Sequence, residues 1–471
     1  MNDQYRKLGK NTLLMMLGNF ASRFLVFLLV PLYTRCLDTG AYGTADLLTT
    51  TISLLSPVLT IAASEGILRF TLNEKHDKKQ VFTLSVFIFA AGFALLACAS
   101  PLIALYSIFG GYTWLFLVYY FSYVLLLLLQ QFVKGLNDVK SYAISGFLSS
   151  VVCVASNILL LAVFGMGVQG YILAMIAGSL IPVIYLFFKV KMWKYLTNPF
   201  RIAGDLVKRY LIYCWPLVIN QLSWWINNSS DKYILTYFCG LSANGVYSVA
   251  YKIPSFITAI SGILYSAWQI SSVDDFGSEK SVKFFSDVYR KYTSVFLVSA
   301  SGLILFIRIL AKIFFANDFS GAWQFAVILI IAAVIQALGS FMGTVYTAAM
   351  KPVMIFVTTL LGASLNTVLN FILIPRFAAY GAAIATVAGY SLILIIRLID
   401  SRRILPMKFK VVRDIICFAL LGLQAVVTCL EPDLWYVYSA LACLAVAFLN
   451  LEIVKDGFRL LSAGKKNGKN D

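Results

Sequence analysis

The chain alternates long apolar runs with short polar segments over nearly its whole length. A helix that crosses a bilayer needs about 20 predominantly apolar residues. Runs of that length predict an all-α polytopic membrane protein with about 14 transmembrane helices. The predicted spans cover residues 12–34, 42–66, 81–107, 112–133, 141–164, 168–188, 210–235, 243–268, 291–315, 322–348, 353–374, 380–399, 413–430 and 434–453.

One stretch, Pro216–Pro254, combines the hydrophobicity of a membrane helix with many polar side chains. Polar and ionisable groups at membrane depth are costly, and they usually face a cavity or a partner. We therefore expect this stretch to contribute to a functional site. Its polar residues are Asn220, Gln221, Asn227, Asn228, Asp231, Lys232 and Lys252.

Basic residues are distributed unevenly among the segments that join the spans. Of the 38 Lys and Arg residues, 31 fall in one alternate set of segments. Only Arg35, Lys312 and Arg376 fall in the other set. Because cytoplasmic loops carry the excess of Lys and Arg, the sequence predicts both termini in the cytoplasm and an even number of spans. The outer segments are too short for a folded external domain.

Composition agrees with this interpretation and excludes several classes of function. Charged residues make up 13% of the chain, whereas a soluble domain carries about 25%. The net charge of +17 arises from short loop clusters, with no basic and aromatic groove for nucleic acid. The cysteines lie mostly in apolar runs without a CxxC pair, and the single histidine, His76, lies in a charged loop. We expect no metal site, no direct use of ATP and no enzymatic activity.

The sequence also contains an internal repeat. Gly170 recurs as Gly381 within similar apolar segments, 211 positions later, and segment 36–43 resembles segment 239–247. An offset of six spans preserves orientation, so the repeats are parallel. We expect an N-terminal lobe of helices 1–6 over residues 1–188, a cytoplasmic linker over 189–209, a C-terminal lobe of helices 7–12 over 210–400, and helices 13–14 with a basic tail over 401–471.

Several motifs together resemble one known family. Helix 1 contains Asn19, Arg23 and PLYTR, and the next loop reads LDTGAYG. Helix 7 contains WWINNSSDKYIL, and helix 8 contains GVYSVAYKIP. These segments resemble the polysaccharide flippases of the multidrug/oligosaccharidyl-lipid/polysaccharide exporter superfamily. The resemblance covers helices 1–12, and the helix 7–8 signature is its most specific part.

This resemblance implies a flippase of the bacterial cytoplasmic membrane. The expected substrate is an undecaprenyl-pyrophosphate-linked oligosaccharide, moved from the inner to the outer leaflet for O-antigen, capsule or exopolysaccharide synthesis. The resemblance also implies a V-shaped cavity between two six-helix lobes and alternating access. It implies no cofactor other than H+ or Na+ as a coupling ion. The expected partners are the lipid-linked substrate, membrane lipids, a glycan polymerase and glycosyltransferases.

Three cations are candidates for binding the pyrophosphate. At 1.5 Å per residue, Arg23 lies about 18 Å along helix 1, near the middle of the membrane. Lys252 lies about 14 Å along helix 8 from its outer end. Arginine offers phosphate a bidentate fork, whereas lysine offers a point charge. Arg69, at the inner mouth of helix 2, would capture the headgroup first. Each cation has a simpler alternative role, as the partner of a carboxylate or helix end or as a topology anchor.

Four further charged residues are candidates for ion coupling or gating. Asp46 and Glu65, in helix 2, are the carboxylates best placed for coupling, and a buried salt bridge with Arg23 or Arg69 is the alternative. Asp231 and Lys232 are adjacent and so do not share a helix face. A structural pair with another helix is therefore their first interpretation, and gating of the outer side is the second. We expect Arg308 to be structural or peripheral.

Aromatic and amide side chains of helices 7 and 8 are candidates for sugar contact, with ordinary packing as the alternative. Trp224 and Trp225 lie too deep in helix 7 for an interface belt. The prolines Pro57, Pro216 and Pro254 should loosen helices 2, 7 and 8. The candidate sugar contacts are Asn220, Gln221, Trp224, Trp225, Asn227, Asn228 and Tyr251.

Three classes of function compete on this sequence. The first is the lipid-linked oligosaccharide flippase. The second is another exporter on the same scaffold, either a multidrug antiporter or a lipid II-type flippase. An antiporter for cationic drugs should favour carboxylates in its cavity, whereas central cations compete with them here. The third is a membrane enzyme such as a glycan polymerase, which should show paired acids or a histidine near an outer loop.

Overall fold

The computed structural model describes residues 25, 27–73, 76–105, 111–274, 281–349 and 351–451. Every regular element within those ranges is helical, as the apolar runs predict. The chain divides into two compact units. The first comprises Met1–Gly245 with Ala316–Asp318, and the second comprises Val246–Phe315 with Phe319–Asp471. The predicted division into lobes at residues 189–209 stays a prediction.

The first unit contains a series of helices joined by short turns. A π-helical turn, Ile158–Val163, follows α6, and two short 3-10 turns, Met192–Tyr195 and Pro199–Arg201, precede α8. The last helix continues for five residues into the second unit. The helices are α1 (Val30–Cys36), α2 (Thr39–Leu59), α3 (Ala63–Leu72), α4 (Lys78–Ala104), α5 (Thr113–Gly135), α6 (Val139–Asn157), α7 (Gly167–Lys189) and α8 (Gly204–Ala250).

The second unit is also helical, and a buried polar network joins three of its helices. The Gln424 amide nitrogen donates to the Ser301 carbonyl oxygen (3.0 Å) and to the Ser439 hydroxyl (3.1 Å). This network ties the predicted C-terminal appendix to the rest of the unit. The helices are α9 (Ser255–Asp274), α10 (Ser281–Phe314), α11 (Ala322–Ala348), α12 (Pro352–Ile404), α13 (Val411–Leu430) and α14 (Trp435–Leu449).

Membrane-spanning character is evident in both units. Within the described ranges, eight helices are long and apolar enough to cross a membrane, or nine if the bent pair α2–α3 counts as one span. That pair bends by 54°, at Ile61 and Ala62, whose φ angles are both +50°. Pro57 lies just before the bend, as its predicted loosening effect requires. Pro216, by contrast, lies inside a helix that continues past it.

Breaks also divide the polar stretch that the sequence singles out. The chain turns at Gly240, where φ is +85°, and this turn separates helix 7 from helix 8. The predicted helix 8, residues 243–268, is interrupted by a turn over residues 251–254. It therefore forms the end of α8 and the beginning of α9, with Pro254 as the last residue of the turn.

The internal repeat has a backbone counterpart in each unit. Gly167, at the start of α7, has a φ of +55°, and Ala378, at the break inside α12, has a φ of +48°. They are 211 positions apart, the offset found for Gly170 and Gly381. Each member of the pair therefore reverses the chain between two antiparallel helices at the same place in the repeat. The agreement supports the predicted parallel duplication.

Candidate functional site

The helix 7 part of α8 packs along α2 and α3 within the first unit, beginning at a close approach around Gly66. A Cβ atom at Gly66 would lie 2.5 Å from the Cys214 sulfur and 2.5 Å from the Tyr210 ring. The Tyr210 hydroxyl donates to the carbonyl oxygen of Ala63 (2.9 Å) and is 2.7 Å from the hydroxyl of Ser85 on α4. The first turns of α8 are thus fixed to α3 and α4.

Farther along, two aromatic residues join α8 to α2. The Trp225 indole N–H donates to the Thr50 carbonyl oxygen (3.1 Å) and to the Ser53 hydroxyl (3.2 Å). The Trp225 ring lies 5.4 Å from the ring of Tyr233, whose hydroxyl is hydrogen-bonded to that of Thr51. Trp225 therefore packs between helices, which is the alternative to the predicted sugar contact.

An ion pair lies beyond these aromatics. The Lys232 ammonium contacts both carboxylate oxygens of Asp46, at 3.0 and 2.9 Å. The side chains of Lys232 and Asp46 are only 14% and 10% exposed. In surroundings of low dielectric constant, such a pair interacts far more strongly than one in water. The contact agrees with the prediction that Lys232 pairs with another helix. The alternative partners predicted for Asp46 were Arg23 and Arg69, whereas its observed partner is Lys232.

Two more polar side chains of α8 are buried beside this pair. Asp231 is 2% exposed, and its Oδ1 accepts the backbone N–H of Lys232 (2.9 Å). Asn227, one turn earlier, is 3% exposed, and its amide nitrogen has no hydrogen-bond acceptor in the part of the chain that the structure describes. Burial of polar groups in a membrane helix usually indicates function. We define Asp46, Asn227, Asp231 and Lys232 as the polar cluster.

A close helix crossing lies next to the polar cluster. A Cβ atom at Gly43 of α2 would lie 2.1 Å from the carbonyl oxygen of Leu241 in α8. Reciprocally, a Cβ atom at Gly245 would lie 1.9 Å from the carbonyl oxygen of Thr39. The Asn244 amide adds a hydrogen bond to the Gly43 carbonyl oxygen (3.2 Å). Only glycine at both positions lets the two backbones approach this closely. We call this contact the glycine crossing.

Replacing Gly245 with alanine is expected to lower the thermal stability of the purified protein. The new methyl group would overlap the Thr39 carbonyl oxygen, and overpacking of this kind costs about 1–3 kcal/mol. The midpoint of thermal unfolding in detergent measures the effect. Gly146→Ala is the matched control, because a Cβ at Gly146 in α6 meets nothing within 4 Å. Equal midpoints for the two variants would contradict the glycine crossing.

The predicted sugar-contact residues are mostly half-buried on α8. Asn220, Gln221 and Trp224 are partly exposed, and the Asn228 amide donates to the Trp224 carbonyl oxygen (2.7 Å) within its own helix. Tyr251 lies in the turn between α8 and α9, in the second unit. Their predicted contact with sugar stays a prediction.

Two of the three predicted phosphate-binding cations lie within the described residues, in different surroundings. Lys252 is in the turn that interrupts helix 8, and its side chain is partly exposed. Arg69, near the end of α3, is exposed, and Glu65 lies one turn before it without an ion pair to any described residue. Arg23 lies outside the described residues. Within the turn, the Lys252 backbone N–H donates to the Val249 carbonyl oxygen (3.0 Å), and the Lys252 carbonyl oxygen accepts the Ser255 hydroxyl.

Arg397, near the end of the predicted span 380–399, is a buried cation whose role the sequence does not indicate. The residue is 2% exposed and lies inside the second unit. Its guanidinium donates to the Gly339 carbonyl oxygen (2.8 Å), the Thr358 hydroxyl (2.9 Å) and the Thr359 hydroxyl (2.9 Å). Arg397 therefore fixes the second half of α12 to its first half and to α11.

The contacts of Arg308 agree with the structural role predicted for it. Its guanidinium forms an ion pair with Glu431 (2.6 Å). It also lies over the ring of Trp323, 4.4 Å from the ring centroid. The two contacts join α10 to α11 and to the end of α13.

Comparison with known proteins shows the family to which this chain belongs. Residues 8–271, more than half of the chain, match the model of a family described as polysaccharide biosynthesis protein. The chain belongs to this family. Among curated protein sequences, no relative of this polysaccharide biosynthesis protein was found.

Solved structures establish the fold to which this family member belongs. A lipid II flippase, MurJ, in an inward closed conformation, aligns with 94% of this chain and 98% of its own, at 14% identity and a TM-score of 0.68. An inward-facing MATE family multidrug resistance transporter aligns with 82% of this chain and 94% of its own, at 16% identity and a TM-score of 0.65.

A third structure is a transporter of the same MOP superfamily from Pyrococcus furiosus. It aligns with 83% of this chain and 94% of its own, at 15% identity and a TM-score of 0.61. At such low identity, the three likenesses show the fold alone. The polysaccharide biosynthesis protein thus has the all-helical fold of MOP superfamily transporters and flippases, as the resemblance implied.

Proposed function

We propose that this protein flips an undecaprenyl-pyrophosphate-linked oligosaccharide from the inner to the outer leaflet of the bacterial cytoplasmic membrane. The family match carries the proposal, because it joins polysaccharide biosynthesis to the fold of a membrane transporter. A sugar chain assembled on a lipid at one membrane face must cross the bilayer before it is used at the other. The fold and the family description both fit that step.

A lipid-linked substrate is the proposed cargo, and the fold is compatible with it. The lipid II flippase aligns with 94% of the chain, whereas the MATE transporter aligns with 82%. A substrate with a lipid anchor and a pyrophosphate needs cations in a site that remains open to the membrane. The proposed phosphate contacts are Arg23, Arg69 and Lys252. The two arginines offer bidentate hydrogen bonds, and the lysine offers a point charge. A multidrug exporter is the second candidate, because the MATE likeness is nearly as strong.

Flipping is proposed to proceed by alternating access and to be coupled to H+ or Na+. The polar cluster supports coupling, since Asp231 and the Asp46 partner of Lys232 are carboxylates buried among helices. Binding or release of a cation by a buried carboxylate changes the free energy of the protein substantially. Glu65 is the fourth proposed participant. The glycine crossing, at the predicted outer surface, is the proposed contact that opens when substrate leaves.

Replacing Lys252 with alanine is expected to reduce flipping to background, because the pyrophosphate loses a charge-assisted contact. The assay follows a fluorescent undecaprenyl-pyrophosphate oligosaccharide in proteoliposomes, with an imposed H+ or Na+ gradient. Lys312→Ala is the matched control, because Lys312 is an exposed cation near the end of α10. Arg23→Ala is tested in parallel.

The same vesicles distinguish the two candidate functions. Normal flipping by the Lys252 and Arg23 variants would refute the proposed pyrophosphate contacts. Transport of a cationic drug without any flipping would support the multidrug exporter instead. Undiminished flipping in the absence of every ion gradient would refute the proposed coupling.

A further inference from the structure

Residues 189–209, from the last residue of α7 to the first turns of α8, are a folded part of the first unit. We call this segment the linker. The Thr197 backbone N–H donates to the Thr83 hydroxyl on α4 (2.9 Å), and that hydroxyl donates to the Tyr195 carbonyl oxygen (3.3 Å). The Ala203 backbone N–H donates to the Gln80 side-chain oxygen (3.2 Å). Three hydrogen bonds thus hold the backbone of the linker on α4.

Packing holds the linker in the same position. The ring of Tyr195 lies 5.0 Å from the ring of Phe132 and 6.3 Å from that of Phe82. The side chain of Met192 is completely buried. These contacts hold one side of the linker against the first unit. The backbone that carries the residues on its opposite, exposed side is therefore held in place.

The outer surface of the linker is strongly basic. Its only carboxylate, Asp205, forms an ion pair with Arg209 (2.9 Å). Five cations then remain without a carboxylate partner among the described residues, and all of them are exposed. They are Lys189, Lys191, Lys194, Arg201 and Lys208.

Exposed aromatic side chains accompany these cations. Trp193 lies between Lys191 and Lys194 and is 44% exposed. Its ring is 5.6 Å from that of Phe187 and 6.1 Å from that of Phe188. Both phenylalanines belong to the last turn of α7, a helix long and apolar enough to span the membrane. Tryptophan at the end of such a helix typically lies at the level of the lipid headgroups.

We propose that the linker is a binding surface for anionic phospholipid headgroups. The aromatic group of Trp193, Phe187 and Phe188 inserts at the boundary between headgroups and acyl chains. Lys191 and Lys194, on either side of the indole, then contact lipid phosphates. Clusters of basic residues next to a membrane helix attract anionic lipids in this way, and amphipathic aromatic side chains set the depth of insertion. The proposal does not depend on the transported substrate.

The test measures lipid retention by the full-length protein with native mass spectrometry. The protein is purified from vesicles of phosphatidylcholine mixed with phosphatidylglycerol, and the retained molecules of each lipid are counted. We expect the native protein to retain phosphatidylglycerol preferentially. The Lys191→Gln, Lys194→Gln double variant should lose about fivefold in this preference for each charge removed. The Lys191→Arg, Lys194→Arg variant should keep it.

A matched control removes two cations elsewhere in the same unit. Lys134→Gln with Lys140→Gln changes the net charge equally, at the turn between α5 and α6, and should leave the preference unchanged. Equal preference in the native protein and the Lys191→Gln, Lys194→Gln variant would overturn the proposal. A second result would also overturn it. In that result, the native protein binds an acidic protein in a salt-sensitive way, and the Lys191→Gln, Lys194→Gln variant loses this binding but retains phosphatidylglycerol as the native protein does.

Discussion

Replacing Lys232 with alanine is expected to abolish transport. The change leaves the buried carboxylate of Asp46 without its ammonium partner at 2.9 Å. Removing one member of a buried ion pair costs about 3–5 kcal/mol of stability. The Asp46 carboxylate would lose the Lys232 contact on which its proposed part in coupling rests. Flipping in proteoliposomes, and surface glycan in cells, both measure the loss.

An exposed ion pair in the same unit is the matched control. Arg209 and Asp205 are as close, at 2.9 Å, but both side chains are largely exposed. Such pairs contribute little, so Arg209→Ala should transport normally. The charge-exchanged variant Asp46→Lys, Lys232→Asp distinguishes two roles for the buried pair. Recovery of transport would assign a purely structural role, whereas continued loss supports ion coupling by Asp46. Native transport by Lys232→Ala would refute both roles.

Replacing Arg397 with alanine is expected to give the largest loss of stability of any substitution in the second unit. The guanidinium donates to the Thr358 and Thr359 hydroxyls and to the Gly339 carbonyl oxygen. Hydrogen bonds from a charged group contribute about 1.5–3 kcal/mol each. Removing them, together with a large buried side chain, should lower the free energy of unfolding by at least about 3 kcal/mol. The thermal unfolding midpoint in detergent measures this change.

Two further variants test why arginine is needed at this position. Arg397→Lys should recover only part of the stability, because one ammonium cannot reproduce the planar fork of donors. Arg403→Ala is the control, because Arg403 is exposed and lies 4.0 Å from Asp400. If Arg397→Ala and Arg403→Ala unfold at the same temperature, the network around Arg397 does not stabilise the unit.

The sequence predicts the helices well because a membrane helix must be apolar over a known length. It also indicates where they break, since Pro57 and Pro254 lie at or beside two breaks. The sequence does not indicate the structural role of Arg397. The predicted span ends at residue 399, two residues after Arg397, whereas α12 continues to Ile404. A count of apolar residues does not reveal that Gly343 leaves space for the guanidinium, since a Cβ atom there would lie 3.0 Å from the Arg397 Nη1 atom.

The candidate site is predictable only in part. Polarity at membrane depth identifies Asp46, Asp231 and Lys232 as unusual, because such residues are costly there. It does not identify partners, since pairing between helices depends on their rotation and height. The pair of Asp46 with Lys232 therefore emerges only from the structure. The packing role of Trp225 is a similar case, because its indole N–H finds Thr50 on another helix.

The glycine crossing between α2 and α8 has a consequence for the rate of the opening proposed there. Its central atoms are backbone atoms, and Asn244 supplies the hydrogen bond from a side chain. When interdigitated side chains separate and meet again, each must return to one rotamer, at an entropic cost of up to about 2 kcal/mol for a long side chain. Two glycine surfaces have no rotamers to restore. Such a surface can close many times with little conformational entropy lost at each closure, so the slow step of a transport cycle should lie elsewhere.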